Sequence, residues 1–239
     1  MIFGDGKMSV YTRENQYINL LVQKPYSVKE LSEKLFVSEP TVRRDIALLR
    51  EKELLICKRG IVSLKTNSPD QRIPLFIRRL EQNEKKQSIA QKALRHIKDG
   101  DVIMLDASTT AFHLLAHLTE FKNILVITNG AKTALEAASM GIRTICTGGE
   151  LMYDSFCYVG TDAESVLRNY NADVAFFSCR GISDGGIASD NSILENSMRR
   201  IMIKNSEKSY LLCDSSKLGK TYLNTLCNVK ELDEVISDK

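Results

Sequence analysis

Two groups of side chains in this sequence could bind a ligand, and they lie far apart in the chain. The first group lies in the segment Ser38 to Leu54, which reads SEPTVRRDIALLREKEL. Hydroxyls and arginines near the start of a helix are side chains with which proteins contact the phosphates and base edges of DNA. At 100° per residue the segment predicts one helix whose buried face carries Val42, Ile46 and Leu49. The residues then available to DNA are Ser38, Pro40, Thr41, Arg43, Arg44 and Ala47, with Arg44 as the candidate for a base edge and Arg43 and Thr41 near phosphates.

The second group is a set of polar residues that follow five short apolar segments. They are Asp106, Ser108, Thr109 and Thr110 after the first, Asn129 and Gly130 after the second, Gly148, Gly149 and Glu150 after the third, Arg180 after the fourth, and Asp214 and Lys217 after the fifth. If the segments are parallel strands, their carboxyl ends meet at one edge of a sheet, where ligands bind. Hydroxyls and N–H groups at a helix start can cradle a phosphate, and a lysine can supply a point charge. The pattern therefore predicts an anion site at this edge.

The elements around the first group decide whether its arginines read DNA or only cover an ordinary solvated face. Upstream, Tyr17, Ile18 and Leu21 indicate a helix that stops at Lys24-Pro25, and Ser27 to Glu30 form a capping-box pattern that opens a second helix. Phe36-Val37 then leaves only a short turn before Ser38, which is helix-turn-helix spacing. Downstream, residues 54–65 predict two strands that meet near Lys58, Arg59 and Gly60. This wing would place Lys58 and Arg59 against the DNA backbone.

The elements around the second group alternate between short strands and helix-length segments. This alternation predicts a parallel α/β sheet, with strands at 102–105, 124–127, 143–146, 173–177 and 210–213, and with a helix at Ala111 to Leu118 directly after the hydroxyl cluster. The stretch 66–74 is polar, lacks periodicity and holds two of the four prolines, which is typical of a linker. The expected organisation is thus a winged helix-turn-helix DNA-binding domain at 1–65, a linker at 66–74 and an α/β sensor domain at 75–239.

Composition limits the remaining possibilities. The net charge is +3, and residues 1–65 carry twelve Lys/Arg against eight Asp/Glu, so the positive charge lies with the predicted DNA-binding domain, as phosphate neutralisation requires. No apolar run is long enough to span a membrane and no signal peptide opens the chain. The six cysteines lack Cys-x-x-Cys spacing and read as reduced thiols, so a cytoplasmic protein is expected. His113 and His117 lack the glutamate of a zincin motif, and we expect no metal and no cofactor.

Several of these motifs resemble one known family. Ser27-Val28-Lys-Glu-Leu31, Val37-Ser38 and Thr41-Val-Arg-Arg-Asp45 resemble the DNA-binding domain of the DeoR family of bacterial sugar-responsive regulators. Asp106-Ala-Ser-Thr-Thr110, Thr128-Asn129, Gly148-Gly149 and Asp214-Ser-Ser-Lys217 resemble its sensor domain, and the resemblance extends from Arg13 to Asp238. The wing departs from the family, because Lys58-Arg59-Gly60-Ile61 stands where His-Gly-Gly-Ala is usual. Family members usually continue a short way past this chain's end, so a final strand could be missing, and residues 1–7 fit no predicted element.

The resemblance implies a sensor sheet similar to that of ribose-5-phosphate isomerase, which binds a phosphorylated sugar and changes the affinity for a double-stranded DNA operator. Asp106, Asn129 and Glu150 would then bond sugar hydroxyls. The expected protein is a transcriptional regulator, most simply a repressor of a sugar-metabolism operon, that forms a homodimer or homotetramer through its C-terminal domain. Two-fold operators mirror two-fold proteins.

An enzyme is the alternative function, because the implied sheet is that of sugar-phosphate isomerases and deaminases. Isomerisation needs a general base beside the sugar carbons, and the isomerases carry an Asp-Gly-Ala-Asp-Glu motif after the fourth strand. Here that position reads Phe177-Ser-Cys-Arg-Gly181 and holds no carboxylate. Asp184 and Glu195 are later candidates for a base, but the attached DNA reader favours a sensor. No catalytic residue is therefore expected.

Overall fold

The protein divides into two compact units, residues 1–81 and 82–239. Its structure is a computed structural model that describes residues 10–51, 54–64 and 82–239. The predicted linker at 66–74, and the predicted start of the sensor domain at residue 75, lie outside the described residues. Among the described residues, no helix is both long and apolar enough to cross a membrane.

In its described residues the first unit has three helices and a small antiparallel sheet. Its elements in chain order are α1 (Val10–Gln23), β1 (Tyr26–Ser27), α2 (Val28–Leu35), α3 (Glu39–Glu51), β2 (Leu55–Lys58) and β3 (Ile61–Leu64). The sheet order is β1-β3-β2, so β2 and β3 form a wing. Its core is continuous across the helices and the sheet, with Tyr17, Leu31, Val42 and Leu49 almost fully buried.

Local sequence signals set the boundaries of these elements. The Ser27 hydroxyl accepts a hydrogen bond from the Glu30 amide, and the Glu30 carboxylate accepts one from the Ser27 amide, which completes the capping box. Phe36 ends α2 in the left-handed conformation at φ 54°, and the wing turns at Arg59 and Gly60, both with positive φ. The helix-turn-helix and the wing predicted from the sequence are thus confirmed.

The second unit is built on a six-stranded parallel sheet. Its strand order is β14-β12-β9-β4-β5-β6, and the strands are β4 (Val102–Leu105), β5 (Leu125–Thr128), β6 (Arg143–Cys146), β9 (Ala172–Ser178), β12 (Ser206–Leu212) and β14 (Glu234–Ile236). The helices are α4 (Asn83–Ala93), α5 (Thr109–Phe112), α6 (Leu115–Leu118), α7 (Ala131–Ser139), α8 (Gly160–Arg168) and α9 (Ile193–Lys204), and short 3-10 turns follow at Leu94–His96, Ser215–Lys217 and Val229–Glu231. The hairpin β7 (Glu150–Met152) and β8 (Cys157–Val159), and the antiparallel sheet of β10 (Gly181–Ile182), β11 (Ile187–Asp190) and β13 (Asn224–Asn228), complete the unit.

The sheet has a hydrophobic cluster on each face. One cluster packs Ile103, Leu105 and Phe176 against α4 and the short helices α5 and α6. The other packs Met104, Phe177 and Leu211 against α8, α9 and the small sheet. Alternate residues of β9 enter different clusters because successive side chains of a strand point to opposite faces. The parallel α/β sheet predicted from the sequence is confirmed.

The order of the strands identifies where a ligand site belongs. From β4 the chain runs outward through β5 to β6, and then returns to β9 on the other side of β4 before it continues to β12 and β14. β4 and β9 are neighbours, so the connections from them leave in opposite directions. Parallel sheets bind ligands in the crevice at such a switch point, outside the carboxyl ends of the strands. Here that crevice lies after Leu105 and Ser178.

Parts of this unit differ from the sequence prediction. The single helix predicted over Ala111–Leu118 is wrong: two four-residue helices, α5 and α6, occupy this stretch and are separated at His113-Leu114. The amides of His113 and Leu114 bond carbonyls three residues back, which tightens the chain there. The edge strand β14, the hairpin and the small antiparallel sheet do not appear among the predicted elements.

Candidate functional site

The outer face of α3 carries the residues predicted to contact DNA. Pro40, Arg43, Arg44 and Ala47 are exposed, and Thr41 is partly buried. Ser38 starts the helix, because its hydroxyl accepts a hydrogen bond from the Thr41 amide at 3.4 Å. Val42, Ile46 and Leu49 are buried on the opposite face. The structure therefore places Pro40, Arg44 and Ala47 on the side of α3 opposite its buried face, with Arg43 and Thr41 beside them and Ser38 at the helix start.

The two arginines of α3 differ in their surroundings. The Arg43 guanidinium lies 3.3 Å from the carboxylate of Glu39, one turn earlier, and both side chains are exposed. Arg44 forms no hydrogen bond or ion pair with any side chain in the described ranges. Arg44 can therefore turn to a base edge without breaking an existing contact, whereas Arg43 would exchange Glu39 for a phosphate.

A buried ionic cluster attaches α3 to α1. The Asp45 carboxylate, almost fully buried, accepts hydrogen bonds from Arg13 at 3.0 and 3.3 Å and from the Tyr17 hydroxyl at 3.2 Å. Burial and the Asp45 charge raise the pKa of Tyr17, so its hydroxyl stays protonated and donates. The hydrogen bond to Asp45 likewise raises the pKa of Arg13. This cluster fixes the rotation of α3, and with it the direction of Arg44.

The wing presents its basic tip to solvent. Lys58 and Arg59 are exposed at the turn between β2 and β3. The Val28 amide, at the start of α2, donates to the Gly60 carbonyl at 3.3 Å. The wing tip is thus tied to the helix-turn-helix by its backbone while its two cations stay free to meet phosphates.

In the second unit, Asp106 lies at the switch point and its carboxylate is already engaged. One oxygen accepts from the Ser108 amide at 3.1 Å, and the other accepts from the Ser178 amide at 3.2 Å and from Arg199 Nε at 2.9 Å. The sequence predicts this carboxylate as a partner for sugar hydroxyls. Its contacts link the end of β4 to the end of β9 and to α9.

Arg199 is the centre of a buried ionic cluster beneath the crevice. Besides Asp106, its guanidinium contacts Asp190 at 2.9 Å and Glu195 at 3.0 Å. Burial opposes the charge of Arg199, but the three carboxylates outweigh burial and hold its pKa well above the usual value. Burial would also raise the pKa of Asp190, but the Arg199 charge and the Asn191 amide lower it overall. All three carboxylates therefore share one arginine as their ion-pair partner.

Lys217 lies at the same edge of the sheet, as predicted. Its ammonium donates to the Ser178 hydroxyl at 2.8 Å and lies 3.7 Å from Asp214. The Ser178 hydroxyl in turn donates to the Leu212 carbonyl at 2.6 Å. Lys217 therefore bridges the ends of β9 and β12, next to the crevice at which Asp106 lies.

Two buried polar atoms near the crevice have no hydrogen-bond partner in the described chain. They are the Thr110 hydroxyl, after β4, and the Asn129 side-chain carbonyl, after the adjacent β5. The Asn129 amide group donates to the Tyr158 carbonyl at 3.1 Å, so its oxygen is held in place. A Cβ on Gly130 would lie 3.1 Å from the Ala107 Cα, so a glycine lets the two strand ends approach closely. The structure thus brings an unfilled acceptor and an unfilled hydroxyl to neighbouring strand ends.

The other predicted residues lie further from the switch point or are already in use. The Ser108 hydroxyl caps α5 through the Ala111 amide. Arg180 stacks on Tyr222, with 5.1 Å between the guanidinium and the ring centroid. Gly148, Gly149 and Glu150 follow the edge strand β6, two strands away from β4. Glu150 is exposed, and a Cβ on Gly149 would lie 2.9 Å from the Val159 carbonyl, so this glycine serves packing.

Sequence reasoning missed Ser178 and Arg199. Ser178 belongs to a strand that is almost entirely buried, where a hydroxyl gives no local signal. Arg199 lies four residues after Glu195 on a helix, which in sequence is typical of an exposed pair. Only the fold shows that both are buried and that they meet at Asp106.

A unit that presents an arginine-bearing recognition helix, followed by a unit with a polar crevice at the switch point of a parallel sheet, defines a ligand-responsive DNA-binding regulator. Two family models match the chain: the DeoR-like helix-turn-helix domain over residues 13–67 and the DeoR C terminal sensor domain over residues 81–239. The chain belongs to the DeoR family of transcriptional regulators.

Full-length relatives support this assignment. The chain is 31% identical to the HTH-type transcriptional regulator YulB of Bacillus subtilis, over 97% of this chain and 90% of the relative. It is 31% identical to the L-fucose operon activator of Escherichia coli (95% and 94%). It is 33% identical to the lactose phosphotransferase system repressor of Staphylococcus epidermidis (97% and 93%). By their names, these relatives include both an activator and a repressor.

Solved structures share the α/β fold. The delta subunit of eIF2B from Chaetomium thermophilum matches with a TM-score of 0.51 at 17% identity, over 66% of this chain and 57% of that chain. This likeness concerns the fold alone. Ribose 5-phosphate isomerase A from Methanocaldococcus jannaschii matches with a TM-score of 0.43 at 20% identity, over 57% and 54% of the two chains.

Proposed function

We propose that this regulator reads a sugar-metabolism operator through α3 and the wing, and that a phosphorylated sugar in the crevice after β4, β5, β9 and β12 controls its affinity for DNA. Sugar control agrees with the relatives named for fucose and lactose systems. One of these relatives is named an activator and the other a repressor, and a titration of the operator complex with sugar phosphate distinguishes release from tighter binding.

The observation that carries the effector site is the pair of unpartnered buried atoms, Thr110 Oγ1 and Asn129 Oδ1. A buried polar atom without a partner costs about 1–3 kcal/mol, and a ligand with hydroxyl groups removes that cost. Lys217 supplies the positive charge that a phosphate needs. The ammonium now donates to the neutral Ser178 hydroxyl at 2.8 Å and lies 3.7 Å from the Asp214 carboxylate, so a phosphate can replace the Ser178 contact. We assign to Asp106 the role of holding the strand ends of the crevice together. Arg180, Asp214 and residues 148–150 are assigned to the rim of the crevice.

We expect the protein to bind and release the sugar phosphate without converting it chemically. Aldose–ketose isomerisation needs a carboxylate base that is free to take a proton. Asp106, Asp190 and Glu195 each pair with Arg199, and Asp214 accepts from the Ser216 amide and lies near Lys217. Asp184, the other candidate from the sequence, is exposed between β10 and β11 and does not follow a strand of the parallel sheet. We therefore assign no catalytic residue. An assay with ribose 5-phosphate that detected ribulose 5-phosphate would favour the enzyme alternative.

Self-association through the second unit and residence in the cytoplasm complete the proposal. One winged helix covers too little duplex for physiological affinity, and paired half-sites require paired readers. Light scattering at micromolar concentration should show a dimer or a tetramer. A monomer both with and without operator DNA would contradict this.

Substitution of each arginine of α3 should show which one recognises bases and which one binds phosphate. Arg44→Ala is expected to cost about 1–3 kcal/mol of discrimination between operator and random duplex. Arg43→Ala, like Arg59→Ala, should weaken binding to both duplexes equally and lower the salt slope by about one unit. Fluorescence anisotropy on both duplexes at several salt concentrations measures this. If Arg43→Ala removed the discrimination and Arg44→Ala kept it, the roles would be reversed.

A thermal-shift screen tests the effector site. Hexose, pentose and polyol phosphates are compared with inorganic phosphate, because a ligand of the native state raises the melting temperature. Lys217→Ala and the near-isosteric Thr110→Val should each reduce the shift. Lys122→Ala, an exposed lysine just before β5 and so at the amino ends of the strands, serves as the control and should keep it. Equal shifts in all four proteins would place the phosphate elsewhere.

A further inference from the structure

Ser215 connects the candidate effector site to the first helix of the second unit. Its amide and its hydroxyl donate to the two oxygens of the Asp238 carboxylate, at 2.6 and 2.8 Å. The same hydroxyl accepts a hydrogen bond from Lys85 Nζ at 2.9 Å, and Lys85 lies 3.8 Å from Asp238. Each of Ser215, Asp238 and Lys85 contacts the other two, and we call this cluster the Ser215 link.

The two ends of the Ser215 link have different neighbours. Ser215 opens the three-residue 3-10 turn Ser215–Lys217, so it lies two residues from the lysine proposed to bind phosphate. Lys85 lies in the first turn of α4. α4 is the first helix of the second unit, which begins at residue 82 directly after the DNA-binding unit in the chain. The Ser215 link therefore connects the proposed phosphate site at Lys217 to the helix that begins the second unit.

Binding of a phosphate at Lys217 would give the turn that carries this lysine a second arrangement. Without ligand, its ammonium donates to the Ser178 hydroxyl. A phosphate offers a stronger, charged acceptor, so ligand binding exchanges the Ser178 contact for one to phosphate. Ser215 and Lys217 share one three-residue turn, so a shift of the turn's backbone towards a bound phosphate moves Ser215 as well. Allosteric coupling requires an equilibrium between two arrangements that is shifted both by effector binding and by DNA binding.

We propose that the Ser215 link transmits effector binding to α4, and that it is needed for the response to effector but not for binding either effector or operator. The inference rests on the proposed function of the crevice. α4 stays docked without the link, because Lys92 donates to the carbonyls of Ser237 and Lys239 at 2.8 and 3.0 Å. His96, in the following turn, contacts Glu234 at 3.1 Å.

The test compares Ser215→Ala and Lys85→Met with the matched control Lys92→Met, which removes a lysine contact from the same helix to the same terminal segment. Three quantities are measured for each protein: operator affinity alone, affinity for the sugar phosphate that gives the largest thermal shift, and the change in operator affinity at saturating sugar phosphate. Coupled sites usually change affinity by about 5- to 150-fold. Wild type and Lys92→Met should show a change in this range.

Ser215→Ala and Lys85→Met should keep both separate affinities within about threefold and lose most of the change in operator affinity. Hydrogen exchange gives a second readout, because sugar phosphate should alter amide protection at residues 85–89 in wild type and Lys92→Met but not in Ser215→Ala. A full response in both variants would overturn the link and leave the proposed function standing. Failure of every sugar phosphate to bind wild type would instead overturn the proposed function, and the link with it.

Discussion

Replacing Arg199 with methionine is expected to destabilise the second unit by about 3–5 kcal/mol, the range for breaking a buried ion pair by removal of one partner. The upper end applies, because three carboxylates share this guanidinium and all would be left buried without a counter-charge. Such a loss is a large part of the stability of a typical domain. The crevice should be lost with it, since Asp106 would no longer join the ends of β4 and β9.

Urea denaturation followed by circular dichroism measures this effect. The control is Arg200→Met, because Arg200 is the next residue of α9, is exposed, and donates only to backbone carbonyls of β13. We expect the control to lose about 1 kcal/mol. Arg199→Lys keeps the charge but not the planar fork and should recover only part of the loss. Equal midpoints for Arg199→Met and Arg200→Met would show that the cluster contributes little.

The pH dependence of stability should change sign with the same substitution. In wild type the pKa of Asp190 is lowered, so its stabilisation is present above the unfolded pKa of about 3.9 and is lost as the pH falls through the folded value. Without Arg199, burial is no longer offset by that charge and raises the pKa of Asp190. The variant should then gain stability as the pH falls from 7 towards 5, and the gap to wild type should narrow. A gap that stayed constant over this range would contradict the assignment.

Replacing Arg13 with methionine should have the second-largest effect, about 2–4 kcal/mol on the first unit, because it leaves the buried Asp45 with Tyr17 as its remaining partner among the contacts above. The loss is smaller than at Arg199, since Arg13 is 16% exposed and water can reach the site. The rotation of α3 should become less defined, so operator discrimination should fall even at temperatures where the unit is folded.

Thermal unfolding and anisotropy on operator and random duplex measure both consequences. Arg50→Met, an exposed arginine at the end of α3, is the control for stability, and we expect its melting temperature to stay within a degree or two of wild type. Asp45→Asn should reproduce the loss seen in Arg13→Met. A stable Arg13→Met protein with unchanged discrimination would mean that packing alone orients α3.

The sequence predicted the DNA-binding unit almost completely because its signals are local. The capping box at Ser27, the hydroxyl at Ser38 and the 100° spacing of Val42, Ile46 and Leu49 each lie within one helix. The parallel strands were equally visible as short apolar runs. The ionic cluster of Arg199 was not, because its partners come from positions 106, 190 and 195 and meet only after β4 and β9 pair. For the same reason the sequence did not predict the hydrogen bonds that Asp106 accepts, because its contact with Arg199 forms only when α9 packs beneath the sheet.

The most direct test of the central claim is a titration of the operator complex with the sugar phosphate that gives the largest thermal shift. Fluorescence anisotropy follows operator affinity in wild type, Lys217→Ala and Lys122→Ala. All three proteins should bind operator with equal affinity in the absence of sugar phosphate. Addition of sugar phosphate should change the affinity of wild type and Lys122→Ala at the same concentration and leave Lys217→Ala unchanged. A Lys217→Ala protein that responds at the wild-type concentration would contradict the account, because the phosphate would then lie outside the crevice between β4 and β9.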